Sequence, residues 1–105
     1  MNDPDPPIPI RFRGLERTQI LGRTVPVARG PLGRVLGLAL LPRERAGEGL
    51  LIPRCRAVHT FGMRFRIDVL FLDEDRGVVD LRRGVPPRRF LHRPGACAVL
   101  ELPSP

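Results

Sequence analysis

The chain has 105 residues, of which 42% are hydrophobic, and its formal net charge is +7 because 18 arginines face 11 Asp and Glu residues. This length and hydrophobic content predict a single domain with a modest core, and they exclude a disordered chain. No apolar run approaches the ~20 residues that cross a bilayer, so no membrane association is predicted.

The first segment, MNDPDPPIPI, is acidic and rich in proline. It lacks the basic and then apolar pattern of a signal peptide, so we expect a cytoplasmic protein. Because three prolines interrupt regular pairing, residues 1–7 are predicted to be a flexible arm, with one β domain over residues 8–105.

Four elements are predicted in the first half of the domain. Alternating apolar residues predict a short edge strand in IPIRFRG (8–14) and a weak strand in QILGRTVPVA (19–28). The apolar spacing after Pro31 predicts one short helix over 32–41, which Pro42 ends. GEGLLI then predicts a turn and a brief strand that ends at Ile52.

The second half begins with the strongest pattern, a period-two alternation from Cys55 to Leu72 whose odd positions are apolar. A single strand of that length is unusual, so we expect a break at Gly62 and a central strand in VLFL. DEDRG (73–77) predicts a turn, VVDL the second arm of a hairpin, RRGVPPRRFLHRPG (82–95) an irregular loop, and ACAVLEL (96–102) a final strand. The fold class is therefore mainly β, a compact sandwich or distorted barrel of six or seven short strands with one short helix.

Cys55, His59 and Met63 are soft or borderline metal ligands at four-residue spacing. In an extended strand Cys55 and Met63 lie roughly 26 Å apart, too far for one ion, so we predict neither a metal site nor a cofactor. Cys55 and Met63 are interpreted as packed residues of the core face, His59 as a core or rim residue, and Cys55 and Cys97 as free thiols in a reducing compartment.

Two polar residues stand out beside this stretch. His59 falls on the predicted core face and Asp68 begins an apolar run, so each needs a hydrogen-bond partner. We expect Asp68 to accept hydrogen bonds from backbone N–H groups or from an arginine, which would fix the bend before VLFL. A catalytic acid or base is the alternative role. No nucleophile elbow, phosphate-binding Gly loop or Cys-x-x-Cys motif accompanies them.

The arginines suggest a binding role. If the alternation holds, four of them share one polar face and offer guanidinium groups to an anion: Arg54, Arg56, Arg64 and Arg66. Nucleic-acid binding is a weaker interpretation. The chain contains no lysine, which indicates a coding bias toward arginine, and five Phe without Trp or Tyr disfavour base stacking.

The motifs GLALL, GEGLLI, VHTFGM, IDVLFLD and VLELP resemble the domain of unknown function 192 family. The resemblance spans about Val25 to Pro103 and implies a compact, mainly β, sandwich-like fold with one short helix, but it implies no activity. Relatives usually have Pro at the position of Arg66, and they continue beyond VLELP with a further strand. Because this sequence stops at Pro105, we expect that strand to be missing. Its absence would leave an exposed strand edge that favours a weak homodimer.

Together these observations favour a small cytoplasmic binding or accessory module for an anionic ligand or acidic partner. Its expected ligand-binding residues are those introduced above: His59, Asp68, Arg54, Arg56, Arg64 and Arg66. The alternatives are a small enzyme that uses His59 and Asp68 in a pocket, and a basic nucleic-acid-binding protein.

Overall fold

Strands form most of the regular structure in the computed structural model, which describes residues 8–105. The predicted arm at residues 1–7 lies outside this range. The described elements are β1 Arg17–Ile20, β2 Arg23–Pro26, α1 Pro31–Leu36, β3 Leu50–Pro53, β4 Ala57–His59, β5 Ile67–Leu72, β6 Val78–Val85, β7 Phe90–His92 and β8 Ala98–Pro103, with 3-10 turns at Ile10–Phe12 and Arg43–Arg45. The mainly β class with one short helix is confirmed. Neither α1 nor any other helix in this range is long and apolar enough to span a membrane.

The four-stranded antiparallel sheet β3-β8-β5-β6 is the centre of the domain. Strand β5 pairs with β8 on one side and with β6 on the other, so that Leu70 lies opposite both Leu100 and Leu81. Five of its six residues are buried. A strand whose two faces are both covered requires apolar residues at consecutive positions, which the sequence VLFL supplies.

Successive residues of β5 project into two separate apolar clusters on opposite faces of this sheet. One cluster contains Val69 and Phe71 and is joined from the other side by Val58 of β4. The other contains Leu70 and is covered by Ile20 and Val25 of the β1–β2 hairpin. The small sheets β1–β2 and β4–β7 therefore cover opposite faces, which gives the predicted sandwich-like arrangement.

The predicted edge strand at residues 8–14 is wrong. Ile10–Phe12 forms a 3-10 turn in which the Phe12 N–H donates to the Pro9 carbonyl at 2.9 Å. The turn buries Phe12 and leaves Ile10 exposed. The alternation contains only three apolar positions here, so a local hydrogen bond outweighs it.

The single strand predicted over residues 19–28 is instead a hairpin. Leu21 and Gly22 have φ values of +50° and +76° and connect β1 to β2, with Ile20 opposite Arg23. A two-residue hairpin loop requires this left-handed backbone at both positions, and Gly22 adopts it at little cost.

The helix is shorter than the predicted 32–41 because it ends at Gly37, which has φ +54° and ψ −127°. Proline at its first position is confirmed. The early end changes the orientation of the apolar residues. Leu38 and Leu41 are buried, whereas Leu32, Val35 and Leu40, three of the residues that helical spacing assigned to the core, are exposed.

The stretch from Cys55 to Leu72 breaks as expected, since Gly62 has φ +79° and lies between β4 and β5. These two strands belong to different sheets. The predicted turn at 73–77 is confirmed by an Asp73 carboxylate that accepts the N–H groups of Asp75 and Gly77. The irregular loop predicted over 82–95 is wrong, because β6 continues to Val85 and β7 pairs with β4.

Replacing Gly37 by Ala should destabilise the fold strongly. A Cβ atom at Gly37 would lie 2.3 Å from the Glu101 carboxylate, in addition to the backbone cost at positive φ. Gly14→Ala is the matched control, because Gly14 also has positive φ (+74°) but no atom lies within 4 Å of the added Cβ. In urea unfolding we expect the control to cost roughly 1–2 kcal/mol and Gly37→Ala clearly more. Equal losses would contradict the steric argument.

Candidate functional site

His59 lies at the end of β4 and joins three parts of the chain. Its Nε2 atom lies 2.8 Å from the carbonyl oxygen of Val35 in α1. Its ring is 6.0 Å from the ring of Phe61 between centroids, and Phe90 of β7 is its cross-strand partner. The end of the helix, the β4–β5 turn and the β4–β7 ribbon therefore meet at this residue.

Four large apolar side chains around His59 are exposed to solvent: Val35 (63%), Leu40 (61%), Phe61 (54%) and Phe90 (69%). Leu40 joins the group because its N–H donates to the carbonyl of Gly62, the residue after Phe61. We call these four residues and His59 the His59 surface. The alternation assigned Phe61 to the core, but it lies in the turn after β4, where the strand pattern no longer applies.

The two ring nitrogens of His59 have different environments. Because a carbonyl oxygen can only accept, Nε2 is the donor in the contact with Val35. Nδ1 is buried and has no hydrogen-bond partner within residues 8–105. A buried polar atom without a partner is uncommon in folded proteins, and it distinguishes His59 from an ordinary packed core residue.

Two arginines border this surface on the loop between β6 and β7. The backbone N–H groups of Arg88 and Arg89 donate to the Thr60 carbonyl and hydroxyl oxygens at 3.3 and 2.8 Å. Thr60 is fully buried, so these contacts fix the loop beside Phe61. Both arginine side chains are exposed, and neither forms an ion pair with a residue in the described part of the chain.

The four arginines predicted from the alternation are all exposed, but the structure removes the reason for placing them on one face. That argument requires a single strand, whereas Arg54 and Arg56 precede β4 and Arg64 and Arg66 precede β5. Arg66 donates to the Gly84 carbonyl at 2.9 Å, so its guanidinium already has a backbone acceptor. Arg64 lies closest in sequence to the turn that carries Phe61.

Asp68 is a structural tie between strand β6 and the last residues of the chain. One of its carboxylate oxygens accepts the Gly84 N–H at 2.8 Å and the Ser104 hydroxyl at 2.6 Å. The expected backbone contact is therefore confirmed, without an arginine. No hydrogen bond joins Asp68 to His59 in the described range, and the two residues have separate partners.

The three candidate metal ligands also have separate surroundings. Cys55 donates its thiol to the Ala57 carbonyl at 3.0 Å, and Met63 is buried in the core. Residues 8–105 contain no group of three His, Cys, Asp or Glu residues close enough to hold a metal ion. Cys55 and Cys97 are both free thiols, although the Cys55 N–H donates to the Cys97 carbonyl at 3.3 Å.

Two open cavities lie beside the 3-10 turns. The larger one, about 690 Å³, is lined by the 3-10 turns and β2, and the smaller one, about 330 Å³, lies between Ile10 and Leu32. Neither is lined by His59 or Asp68. The enzyme alternative requires both residues in one concave site, and this geometry provides no support for it.

Glu101 is the residue that sequence reasoning missed. It lies in the middle of β8, is 1% exposed, and accepts the Leu38 N–H at 3.1 Å. Burial raises the pKa of its carboxyl to about 7, while the Leu38 N–H and the charge of Arg11 act in the opposite direction. The available signal was a carboxylate inside the apolar run AVLEL, where an acidic residue requires a specific partner.

Arg11 also holds the turn after α1, the turn that Glu101 contacts at Leu38. Its guanidinium donates to the carbonyls of Gly37, at 3.0 Å, and Ala39. Burial lowers the pKa of Arg11, and the nearby Glu101 charge raises it. The turn after α1 is thus held through its N–H by Glu101 and through its carbonyls by Arg11.

Comparisons with known proteins agree with this fold. The family model DUF192, described as "Uncharacterized ACR, COG1430", matches residues 14–104. The chain belongs to the DUF192 family. It is 39% identical over 74 residues to a UPF0127 protein of Thermococcus sibiricus, covering 67% of this chain and 48% of the relative.

A crystal structure of a protein of unknown function from Novosphingobium aromaticivorans has the same fold. The TM-score is 0.63 at 22% identity, over 78% of this chain and 65% of that protein. This chain therefore spans about half of the archaeal relative and about two thirds of the bacterial one. The resemblance to DUF192 proposed from VHTFGM, IDVLFLD and VLELP is confirmed.

The raised pKa of Glu101 makes the stability depend on pH. Its folded value of about 7 exceeds the ordinary 4.5, so the folded state binds the proton more tightly than the unfolded state. This contribution is complete below about pH 4.5 and is lost as pH rises through 7. We expect wild type to lose on the order of 3 kcal/mol by pH 8.

Urea unfolding from pH 5 to 8 checks this effect. Glu101→Gln keeps an oxygen that can accept the Leu38 N–H, so its stability should change little with pH and exceed that of wild type at pH 8. The control Glu16→Gln changes an exposed carboxylate and should follow wild type. Parallel curves for wild type and Glu101→Gln would rule out Glu101 as the source.

Asp68→Ala should destabilise the protein by about 2–3 kcal/mol, since it removes two hydrogen bonds to one carboxylate oxygen. Ser104→Ala should cost about 1 kcal/mol. Because the hydrogen bond between Ser104 and Asp68 is lost in either variant, the double variant should lose less than the sum of the two. Denaturant unfolding of the four proteins measures this coupling, and strict additivity would contradict the tie.

Proposed function

We propose that this protein is a small binding module whose His59 surface takes an acidic segment of a partner protein that also carries large apolar side chains. The observation that carries the proposal is the group of four exposed apolar side chains around His59, with arginines at its border. Soluble proteins rarely expose such groups of large side chains without using them for recognition.

The apolar residues would supply most of the binding free energy. Phe61 and Phe90 are more than half exposed, and rigid aromatic side chains lose little conformational entropy when a partner covers them. Val35 and Leu40 extend the contact onto the helix end and the turn that follows it. The His59 hydrogen bond to Val35 holds these elements together before the partner arrives, which lowers the cost of ordering on binding.

The arginines would select an acidic partner. Arg88 and Arg89 have exposed guanidinium groups on a backbone that Thr60 fixes, and Arg64 follows the Phe61 turn. A guanidinium pairs with a carboxylate through two parallel hydrogen bonds, and the net charge of +7 steers acidic chains toward the protein. Arg54 and Arg56 would extend the basic border beyond the start of β4.

Two of the predicted site residues have a supporting role in this proposal. Arg66 and Asp68 both contact Gly84 of β6, through its carbonyl and its N–H respectively. They hold the start of β5 against β6. His59 contributes by positioning Val35 and Phe61.

Selection of random 12-residue peptides on the immobilised protein tests this proposal, with affinities then measured by fluorescence anisotropy. Enriched peptides should combine Asp or Glu with Leu, Ile or Phe. Phe61→Ser/Phe90→Ser should weaken their binding by at least about tenfold. Arg88→Gln/Arg89→Gln should weaken it and reduce its salt dependence, since two charge contacts are lost.

Matched controls lie elsewhere on the surface. Leu21→Ser removes an equally exposed apolar side chain, and Arg17→Gln an exposed arginine. Both should bind the peptides like wild type. Peptides without acidic bias, or with unchanged affinity for Phe61→Ser/Phe90→Ser, would contradict the proposal. A thermal shift with inorganic phosphate or a short single-stranded DNA, without peptide binding, would assign a different ligand class.

A further inference from the structure

Strand β6 is an unpaired edge of the central sheet. It is eight residues long and hydrogen-bonds only to β5, while its other side is not paired with any strand in residues 8–105. An edge strand presents a row of backbone N–H and C=O groups that can pair with another strand. Residues 78–83 are exposed or half-buried, so no other element covers this edge.

The side chains on this edge include an apolar group. Val78 is 46% exposed, and Val79 and Leu81 are each 39% exposed. Leu81 lies opposite Leu70 of β5, whose side chain belongs to one of the two core clusters. The apolar layer of the sheet therefore continues to its edge, where Leu81 ends it.

The middle of β6 has the regular geometry that strand pairing needs. Irregularities of register flank this segment on both sides, but between them Asp80, Leu81 and Arg82 lie opposite Phe71, Leu70 and Val69 without a shift. Asp80 and Arg82 form an exposed ion pair within the strand at 2.8 Å. Their charges alternate with Leu81 along the straight part of the edge.

These charges distinguish among the registers in which β6 can pair with itself. A two-fold axis at Asp80 or at Arg82 places that residue opposite its own copy, so that like charges meet. An axis at Leu81 places Asp80 opposite Arg82 of the second copy, twice, and brings the two Leu81 side chains together. Opposite charges directly across an antiparallel pair stabilise it, and like charges destabilise it.

We propose that β6 pairs antiparallel with β6 of a second copy, centred on Leu81. The two four-stranded sheets then form one continuous sheet of eight strands, and the Asp80–Arg82 ion pairs form between chains instead of within one. The interface contains none of the residues of the His59 surface. The proposal is therefore independent of the acidic-partner proposal, and each can fail without the other.

Sedimentation equilibrium of the full chain tests this pairing. Wild type should show a concentration-dependent equilibrium between monomer and dimer. Asp80→Arg and Arg82→Asp should each weaken the dimer by at least about tenfold, because each single change places like charges opposite one another. The combined variant Asp80→Arg/Arg82→Asp should restore the dimer, since the opposite charges are exchanged.

The ion pair of Glu16 and Arg29 provides the matched control. It is also exposed, at 3.3 Å, and lies away from β6 in sequence. Glu16→Arg and Arg29→Glu should leave the dimer constant unchanged. Circular dichroism checks that each variant is folded, and amide exchange in β6 of wild type should slow as protein concentration rises.

Three outcomes would overturn the proposal. One is a wild-type protein that stays monomeric up to millimolar concentration. Another is a double variant that dimerises no better than the single ones. The last is a dimer whose affinity is the same in all the β6 variants, which would locate the contact elsewhere.

Discussion

The buried hydrogen bond from the Leu38 N–H to the Glu101 carboxylate fixes the turn after α1 against the central strand β8. It draws the chain toward the centre of β8 directly after Gly37, which requires a residue without Cβ at that point. The helix therefore ends at Leu36 and leaves the Val35 carbonyl free to accept from His59. A single carboxylate in the core thus sets the position of the surface that we propose as the binding site.

The central sheet and the surface elements have different physical roles. Strands β5 and β8 are buried on both faces and contribute residues to both core clusters. The residues of the His59 surface lie on a helix end, a turn and the two-stranded β4–β7 ribbon, where Phe90 is exposed. A rigid sheet that positions exposed loops is a common basis for recognition, because the loops can vary without loss of the core.

The sequence patterns predicted the central elements well because local alternation and burial agree there. VLFL, the turn at 73–77 and the break at Gly62 all follow from residue order and turn chemistry. The helix length and the outward orientation of Val35 and Leu40 depend on Glu101, which lies more than sixty residues from Leu38. The separation of the arginines depends on the placement of β4 and β5 in different sheets. Such long-range contacts leave no periodic signal in the sequence, so the candidate surface could be recognised only from the structure.

The order of the strand pairs has a consequence for how the chain folds. The pairs β5–β6, β4–β7 and β3–β8 are nested, each enclosing the previous one along the sequence. Once the β5–β6 hairpin has closed, the sequence separation of 29 between Thr60 and Arg89 corresponds to a much shorter effective loop, which lowers the entropy cost of joining them. The topology thus favours folding from the inside outward, with the ribbon that carries His59 assembling on a hairpin that is already formed.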